Sequence, residues 1–348
     1  MLNLQISTAK EQLAKLARYT MRPQERDSAH MKVWQWGQGV ALYGLGKTYD
    51  ALGDTHYLDY MEEWLNSFLP GNPPGKSINT TAPLLGAVKL IKERRTNKYT
   101  AVCSEFADWC LHEAPRTVDG AFEHSCTENR YPGEIWADTL FMGCLFLAEW
   151  GTLTGERRYI DEAVRQFALH YKFLRDPATG LIVHGYNGNT HSQMGVLWGR
   201  GNGWFAAASA DMLELVQDSA AASSIAEDFL SHMAGVLSTQ DRGGMWHTVM
   251  DHPASYPEAS CTAAFAYAFL KGNSTGVLAG SHRANAFQAV SALLHRIDAF
   301  GRLAEGSGGT CVMPAAADYN AIGYAYSPFT QGLGMMALSG AILYGEEG

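Results

Sequence analysis

The stretch WQWGQGVALYGLGKTYDALGDTHYLDYMEEWLNSFL, residues 34–69, holds two helices of different character. After Trp34-Gln35-Trp36 the first helix is small or apolar on nearly every side, with glycine at 37, 39, 44 and 46. After the Leu-Gly-Asp turn the second alternates apolar and acidic positions at helical spacing. A helix that is apolar all round must be buried all round, whereas one with a single apolar stripe covers its neighbours from outside. The pair therefore reads as one inner and one outer helix joined by a short turn.

The same unit recurs along the chain. Copies run over 79–114, over 134–174 with LTGERRY as the turn, over 199–237, and over 258–273 followed by 282–297. The last apolar helix, FTQGLGMMALSGAILY at 329–344, has no partner after it, and the amphipathic helix at 7–20 has none before it. Pairing these two gives six hairpins, which predicts an all-α fold, an (α/α)6 barrel of six inner and six outer helices. Closing first onto last leaves no linker at which to divide the chain, so residues 1–348 read as a single barrel domain. Two short extended pieces, GLIVHGYNG at 180–188 and GGMWHTVMD at 243–251, read as loop hairpins at the barrel mouth.

Charge and composition exclude several classes of function. The net charge is -9 and only KERR at 92–95 clusters basic residues, so no nucleic-acid partner is expected. No apolar run of about 18 residues appears, and the N-terminal helix lacks the apolar stretch of a signal peptide. The expectation is a cytoplasmic protein with no membrane partner. Six cysteines at 103, 110, 126, 144, 261 and 311 form no CxxC pair and no zinc spacing. They read as buried reduced thiols, with no metal and no cofactor.

In such a barrel the loops entering the inner helices share one end, and there the polar and aromatic residues concentrate. Trp34, Trp36, Trp136, Trp198 and Trp204 all lie near loop ends. They suit stacking on sugar rings, although each is also the kind of residue that fills a barrel core. In YPGEIWADTLFM, residues 131–142, two carboxylates flank Trp136. Glu134 reads as a helix-start acid that complements the dipole. Asp138, one turn further into an apolar helix, loses hydration; this predicts a raised pKa and makes it the candidate proton donor. In WGRGNGW, residues 198–204, glycines let a ligand approach closely and Arg200 is suited to gripping a carboxylate in a bidentate pair. His184 and His191 bracket GYNGNT as candidate substrate contacts, ahead of His124 and His247.

These motifs resemble the unsaturated glucuronyl and rhamnogalacturonyl hydrolases, glycoside hydrolase families 88 and 105, with a closer match to family 105. The carriers are WQWGQGVALYGL (34–45), IWADTLFM (135–142), WGRGNGW (198–204) and YPEASCTAAFAYAFLKG (256–272), spread over nearly the whole chain. The resemblance implies an (α/α)6 barrel that removes a 4,5-unsaturated uronic acid from the non-reducing end of lyase-generated oligosaccharides, such as those from the rhamnogalacturonan of pectin. It implies a hydration of the vinyl ether, in which the aspartate at the position of Asp138 protonates C4 and then activates water for C5. It also implies that Trp36, Trp136, Trp198, Arg200 and Trp204 bind substrate, with His184 or His191 contributing. Relatives commonly carry a second aspartate at the start of the second inner helix. Here that region reads KSINTTAPLL, with Asn79 as the polar match, able to hydrogen-bond substrate but not to share a proton.

Two other readings stand beside this one. A sugar epimerase or isomerase on the same barrel would use paired histidines as acid and base, and a non-catalytic sugar-binding protein would need no acid at all. The sugar next to the uronate and the oligomeric state are open.

Overall fold

The computed structural model describes residues 2–22, 30–69, 74–126, 129–216 and 221–345. In chain order the first helices are α1 (Leu2–Met21), α2 (Trp36–Leu52), α3 (His56–Phe68), α4 (Ile78–Thr81), α5 (Leu84–Arg94) and α6 (Thr100–His112). They are followed by α7 (Leu145–Thr154), α8 (Arg157–Leu174), α9 (Gly199–Leu215) and α10 (Ala222–Ser238). The last are α11 (Ala259–Ser274), α12 (Arg283–Leu294), α13 (Ala316–Asn320) and α14 (Pro328–Leu343). Helices α2, α5, α7, α9, α11 and α14 make the inner ring, and α1, α3, α6, α8, α10 and α12 the outer one. The sequence logic holds residue by residue: α9 buries every position from Gly199 to Leu213, while α8 buries only a stripe of seven between Tyr159 and Leu174.

The ring closes where α14 packs between α2 and α11, with α1 outside it. Here α2 and α14 meet backbone to backbone. A Cβ on Gly44 would stand 2.5 Å from the Gly332 carbonyl oxygen, and one on Gly332 2.4 Å from that of Val40. Only glycine fits at such a crossing.

The structure corrects the sequence reading around the third inner helix. Glu134 does not start a helix; Glu134–Trp136 is strand β1. It pairs antiparallel with β2 (Gly185–Asn187), which pairs with β3 (Ser192–Met194), so the first extended piece is a hairpin that β1 joins as a third strand. The second piece supplies β4 (Trp246–His247), which pairs with β5 (Pro257–Glu258), beyond the expected hairpin. After β1 the helix begins at Asp138, and Leu140–Cys144 forms a π turn before α7. The wider turn is supported from outside, because the Thr81 hydroxyl lies 2.7 Å from the Met142 carbonyl oxygen. The second inner helix is likewise broken, into α4 and α5 with Ala82 and Pro83 between them. Ser77 caps α4 by accepting from the Thr80 N–H.

The cysteines also depart in part from expectation. Cys103, Cys110, Cys144 and Cys261 are buried, but Cys126 is half-buried and Cys311 exposed, since both belong to loops at the mouth rather than to helices. Among the described residues no helix is long and apolar enough to cross a membrane.

Candidate active site

Strand register decides what meets Asp138. The β1–β2 pairing sets Trp136 opposite Gly185 and continues one step, with the Ala137 N–H donating to the His184 carbonyl at 3.0 Å. The next residue, Asp138, thereby comes to rest beside His184. Asp138 Oδ2 is 3.4 Å from His184 Nε2, at the outer edge of hydrogen bonding. Both atoms are buried and neither has another partner among the described residues. Of the two candidate histidines, His184 is the one at the carboxylate. His191 lies on the exposed tip of the β2–β3 hairpin, in left-handed backbone with φ 53°, its Nδ1 3.5 Å from the Tyr186 hydroxyl.

Aromatic rings hold this pair. Trp136 stacks on His124 with centroids 4.6 Å apart and 13° between planes, and Tyr131 leans on Trp136 at 4.6 Å. His184 sits 4.0 Å from the ring of Trp198 and meets Trp136 edge-on at 5.3 Å. Glu134, read as a helix-start acid, instead accepts from Trp136 Nε1 at 2.7 Å and fixes the indole. His124, ranked low from sequence, is a wall of the site, with Nδ1 3.0 Å from the Thr139 hydroxyl.

The electrostatics correct a second expectation. Burial alone pushes Asp138 up, as the sequence suggested, but His184, His124 and Arg200 outweigh it and the net shift is down. Burial pushes His184 down against the pull of Asp138, and pushes His124 down to about 4. Both imidazoles are therefore neutral at neutral pH. What keeps Asp138 ionised there is the His184 N–H dipole and the permanent charge of Arg200.

Arg200 is 1% exposed and lies between two rings, 4.7 Å from Trp198 and 4.7 Å from Phe329. Its Nη1 donates to the Ser307 carbonyl at 3.2 Å, its Nη2 to the Gly308 carbonyl at 2.7 Å and to Thr310 Oγ1 at 3.0 Å, and Glu258 Oε1 is 3.7 Å away. The two terminal nitrogens thus bind the 307–310 loop rather than standing open as a fork, and the buried Nε has no partner among the described residues. Asn79 is 4% exposed and its Nδ2 lies 3.4 Å from Cys126 Sγ. The Cys126 thiol is pushed up to about 11, by burial first and then by the charge of Asp138, so amide and carboxylate flank the same sulfur.

The remaining tryptophans divide. Trp36 stacks on Phe329 at 4.7 Å and stays partly exposed beside the site. Trp204, expected to bind sugar, is fully buried under Trp36 and Phe141, because position 204 falls a full turn below Arg200 inside α9. Trp34 stacks on Trp64 of α3, and His247 Nε2 is 3.5 Å from Asp241. Sequence reasoning missed Glu258, which caps α11 through the Cys261 N–H at 2.7 Å and faces Arg200. It also missed Tyr319, whose hydroxyl is 2.7 Å from His184 Nδ1. The proline-glutamate pair after Tyr256 was a usable signal for the first; a lone tyrosine in AAADYNA gives none for the second.

A buried carboxylate with one unpaired oxygen, a neutral imidazole N–H beside it and a guanidinium nearby can hold a proton for transfer and receive one back. Among the described residues no group of three or more His, Cys, Asp or Glu is arranged to hold a metal ion. The family model for Glycosyl Hydrolase Family 88 matches residues 10–343. The unsaturated rhamnogalacturonyl hydrolase YesR of Bacillus subtilis is 32% identical over 295 residues, 84% of this chain and 84% of that protein. Crystal structures of possible members of the GH105 family from Salmonella enterica and from Klebsiella pneumoniae superpose with TM-scores of 0.92 at 29% identity. They cover 96% and 97% of this chain and 93% of each of those chains.

Proposed function

The chain belongs to glycosyl hydrolase family 88, and we propose that it releases a 4,5-unsaturated uronic acid from the non-reducing end of lyase-generated oligosaccharides, with Asp138 as the group that moves the proton. It is a glycoside hydrolase, and its bond breaking follows from hydration rather than from displacement at the anomeric carbon. Protonated Asp138 gives its proton to C4 of the double bond. The carboxylate so formed accepts a proton from water as the water oxygen adds to C5. The hemiketal at C5 opens to a ketone, which leaves a hemiacetal at C1, and this collapses to an aldehyde as the next sugar departs as an alcohol. One residue serves as acid and then base, so the two-carboxylate separation of ordinary glycosidases does not apply.

The observation that carries this reading is the unpaired, buried Oδ2 of Asp138 beside His184 Nε2. At rest its neighbours favour the carboxylate, whereas the first step needs the acid. The substrate supplies the change: its own carboxylate brings a like charge into the same space and raises the aspartate, so a proton is taken up as substrate binds. Trp36 and Trp136 are proposed as sugar-facing walls, Asn79 as a hydrogen-bonding partner of the uronate, and Arg200 as the charge that draws its carboxylate in. Trp198, expected to bind sugar, is fully buried between His184 and Arg200 and serves to hold both. His191 and Trp204 are left to outer roles, at the rim and behind Trp36.

The length-spanning similarity to YesR favours rhamnose as the expelled sugar, and so a role in the breakdown of pectin-derived rhamnogalacturonan. The free thiols of the mouth, Cys126 and Cys311, suit a reducing compartment, and the reaction is assigned to the cytoplasm. Supplying a panel of unsaturated disaccharides and following the ultraviolet absorbance of the double bond tests the reading. Turnover that is fastest on the rhamnose-linked member and lost in Asp138→Asn supports it; full turnover in that variant, or none on any member, overturns it.

A further inference from the structure

We propose that Tyr319 is a positioning residue that fixes the tautomer of His184, so that His184 always turns an N–H toward Asp138. Its value for catalysis rests on the assignment of Asp138 above; the tautomer does not.

The argument is a count of protons and lone pairs. A phenol oxygen has one proton to give and two lone pairs to fill. Tyr319 sits on α13 with no exposed surface, and its oxygen receives the backbone N–H of Met313 at 3.1 Å. A backbone N–H only donates, so Met313 fills one lone pair and the buried phenol proton still needs an acceptor. The phenol proton is left for the remaining neighbour, His184 Nδ1, at 2.7 Å. Nδ1 must accept, and a neutral imidazole then carries its own proton on Nε2, the atom 3.4 Å from Asp138 Oδ2. Gly195 makes the arrangement possible: its φ is 77°, and a Cβ there would stand 2.6 Å from the Tyr319 hydroxyl. Trp198 and Trp136 keep the imidazole from turning over.

The consequence concerns where the acid proton can go. In the other tautomer, Nε2 would be a lone pair facing a protonated Asp138, and the proton would pass to the imidazole to make an ion pair. With Nε2 already protonated that route is closed, and the proton on Asp138 is kept for C4 of the substrate. The charged or titratable groups facing His184 are Asp138, Arg200, Glu134 and His124. Ionised Asp138 also favours an N–H on Nε2, and the Tyr319 hydroxyl on Nδ1 holds that tautomer once Asp138 is protonated.

Nitrogen NMR of the full-length protein labelled with 15N-histidine reads this directly, with the His184 signal assigned by its loss in His184→Gln. The expected wild-type pattern near neutral pH is protonated Nε2 and unprotonated Nδ1. In Tyr319→Phe a population protonated at Nδ1 appears and His184 begins to titrate at higher pH. In the same variant kcat falls roughly 10- to 100-fold with KM little changed, the scale of losing a hydrogen bond that acts on a charged group. Gly195→Ala, which displaces the hydroxyl, gives the same spectral change should Tyr319→Phe fold poorly. A wild-type spectrum with Nδ1 protonated overturns the proposal without any variant, as does an unchanged His184 pattern in both variants. A shifted tautomer with unaltered kcat overturns the positioning role. Activity that survives Asp138→Asn would instead remove the assignment of Asp138 and leave the tautomer result standing.

Discussion

Each end of the helical ring buries an aspartate of an inner helix, and the two are treated in opposite ways. At the lower end Asp211 of α9 accepts from Tyr43 Oη at 2.8 Å, Lys47 Nζ at 3.1 Å, Tyr267 Oη at 2.6 Å and Lys271 Nζ at 2.6 Å. At the mouth Asp138 has one oxygen with no hydrogen-bond partner among the described residues. Both are pulled below the ordinary carboxylate range, so charge state does not separate them. Satisfaction does. A carboxylate whose lone pairs are all taken by fixed donors ties α2, α9 and α11 together and has nothing left to offer. The lower end is also where the inner helices present their negative C-termini, which Lys47 and Lys271 offset. A cavity of about 700 Å³ opens there, lined by Lys47, Lys89, Lys92, Glu149 and Lys271, yet Lys47, Lys89 and Lys271 are already paired with Asp211, Asp50, Glu93 and Glu214. Size of cavity thus points away from the chemistry, and an unpaired atom points to it.

The comparison breaks most visibly at Asp138. Asp138→Asn keeps the shape and removes the transferable proton, so kcat is expected to fall about 100- to 10,000-fold, the range for losing a general acid. The melting temperature should fall far less than in Asp211→Asn, because Oδ2 has no completed hydrogen bond to lose and only the pull of its charged and polar neighbours is removed. Steady-state turnover of an unsaturated disaccharide and a thermal melt check both halves. Large destabilisation with retained turnover would make Asp138 a second Asp211.

The mirror experiment is Asp211→Asn. Removing the charge leaves buried ammonium groups short of their partner, which costs about 3–5 kcal/mol by the usual toll of breaking a buried pair. Urea denaturation measures it. Turnover per folded molecule should match the unaltered protein, since the substitution lies at the far end of the inner helices.

Acid separates the two ends more gently. His124, stacked on Trp136, is held down to about 4 by burial, against about 6.5 in the unfolded chain. Between those values the unfolded state binds the extra proton, so stability is full above about pH 6.5 and is lost as pH falls through about 4. The Asp211 cluster starts to lose its own contribution only below about pH 4, the unfolded aspartate value, since its folded pKa is depressed. The mouth should therefore loosen first. Unfolding free energies from urea titrations between pH 7 and 4 should fall, and His124→Asn should remove about 1–3 kcal/mol of that fall. The rest comes from the other buried imidazoles, His170, His184 and His232, and Asp211→Asn should leave the slope in place.

How much of this the sequence carries depends on how local each cause is. The ring was legible because α9, apolar on all sides, and α8, apolar on one, declare their layers within a few turns. Asp138 was legible because Trp-Ala-Asp ahead of an apolar helix is a local pattern. The strand Glu134–Trp136 was not, since three residues that run straight into a helix show no alternation of their own. The π turn depends on Thr81, some sixty positions away, and the raised pKa expected for Asp138 failed because its partners arrive from β2 and α9. The choice between His184 and His191 was settled by strand register, which two histidines seven positions apart cannot reveal. Tyr319 lies 135 positions from the ring it touches, and nothing in AAADYNA marks it.

The smallest effect is expected at His191, and it tests whether freedom alone makes a group functional. Its imidazole has spare hydrogen-bonding capacity, as Asp138 does, with a single long contact to Tyr186. It differs in being exposed, so water fills the vacancy at little cost and no reactivity is built up. An unpaired polar atom carries chemistry only where burial denies it water. His191→Asn preserves a residue type that tolerates the left-handed backbone at φ 53°. It should leave kcat unchanged and KM within about twofold, a contrast with Asp138→Asn set by burial and not by the number of free lone pairs. A loss of kcat approaching that of Asp138→Asn would mean that the hairpin tip folds over bound substrate and removes His191 from water, and the burial criterion would then apply to the closed site rather than to the open one.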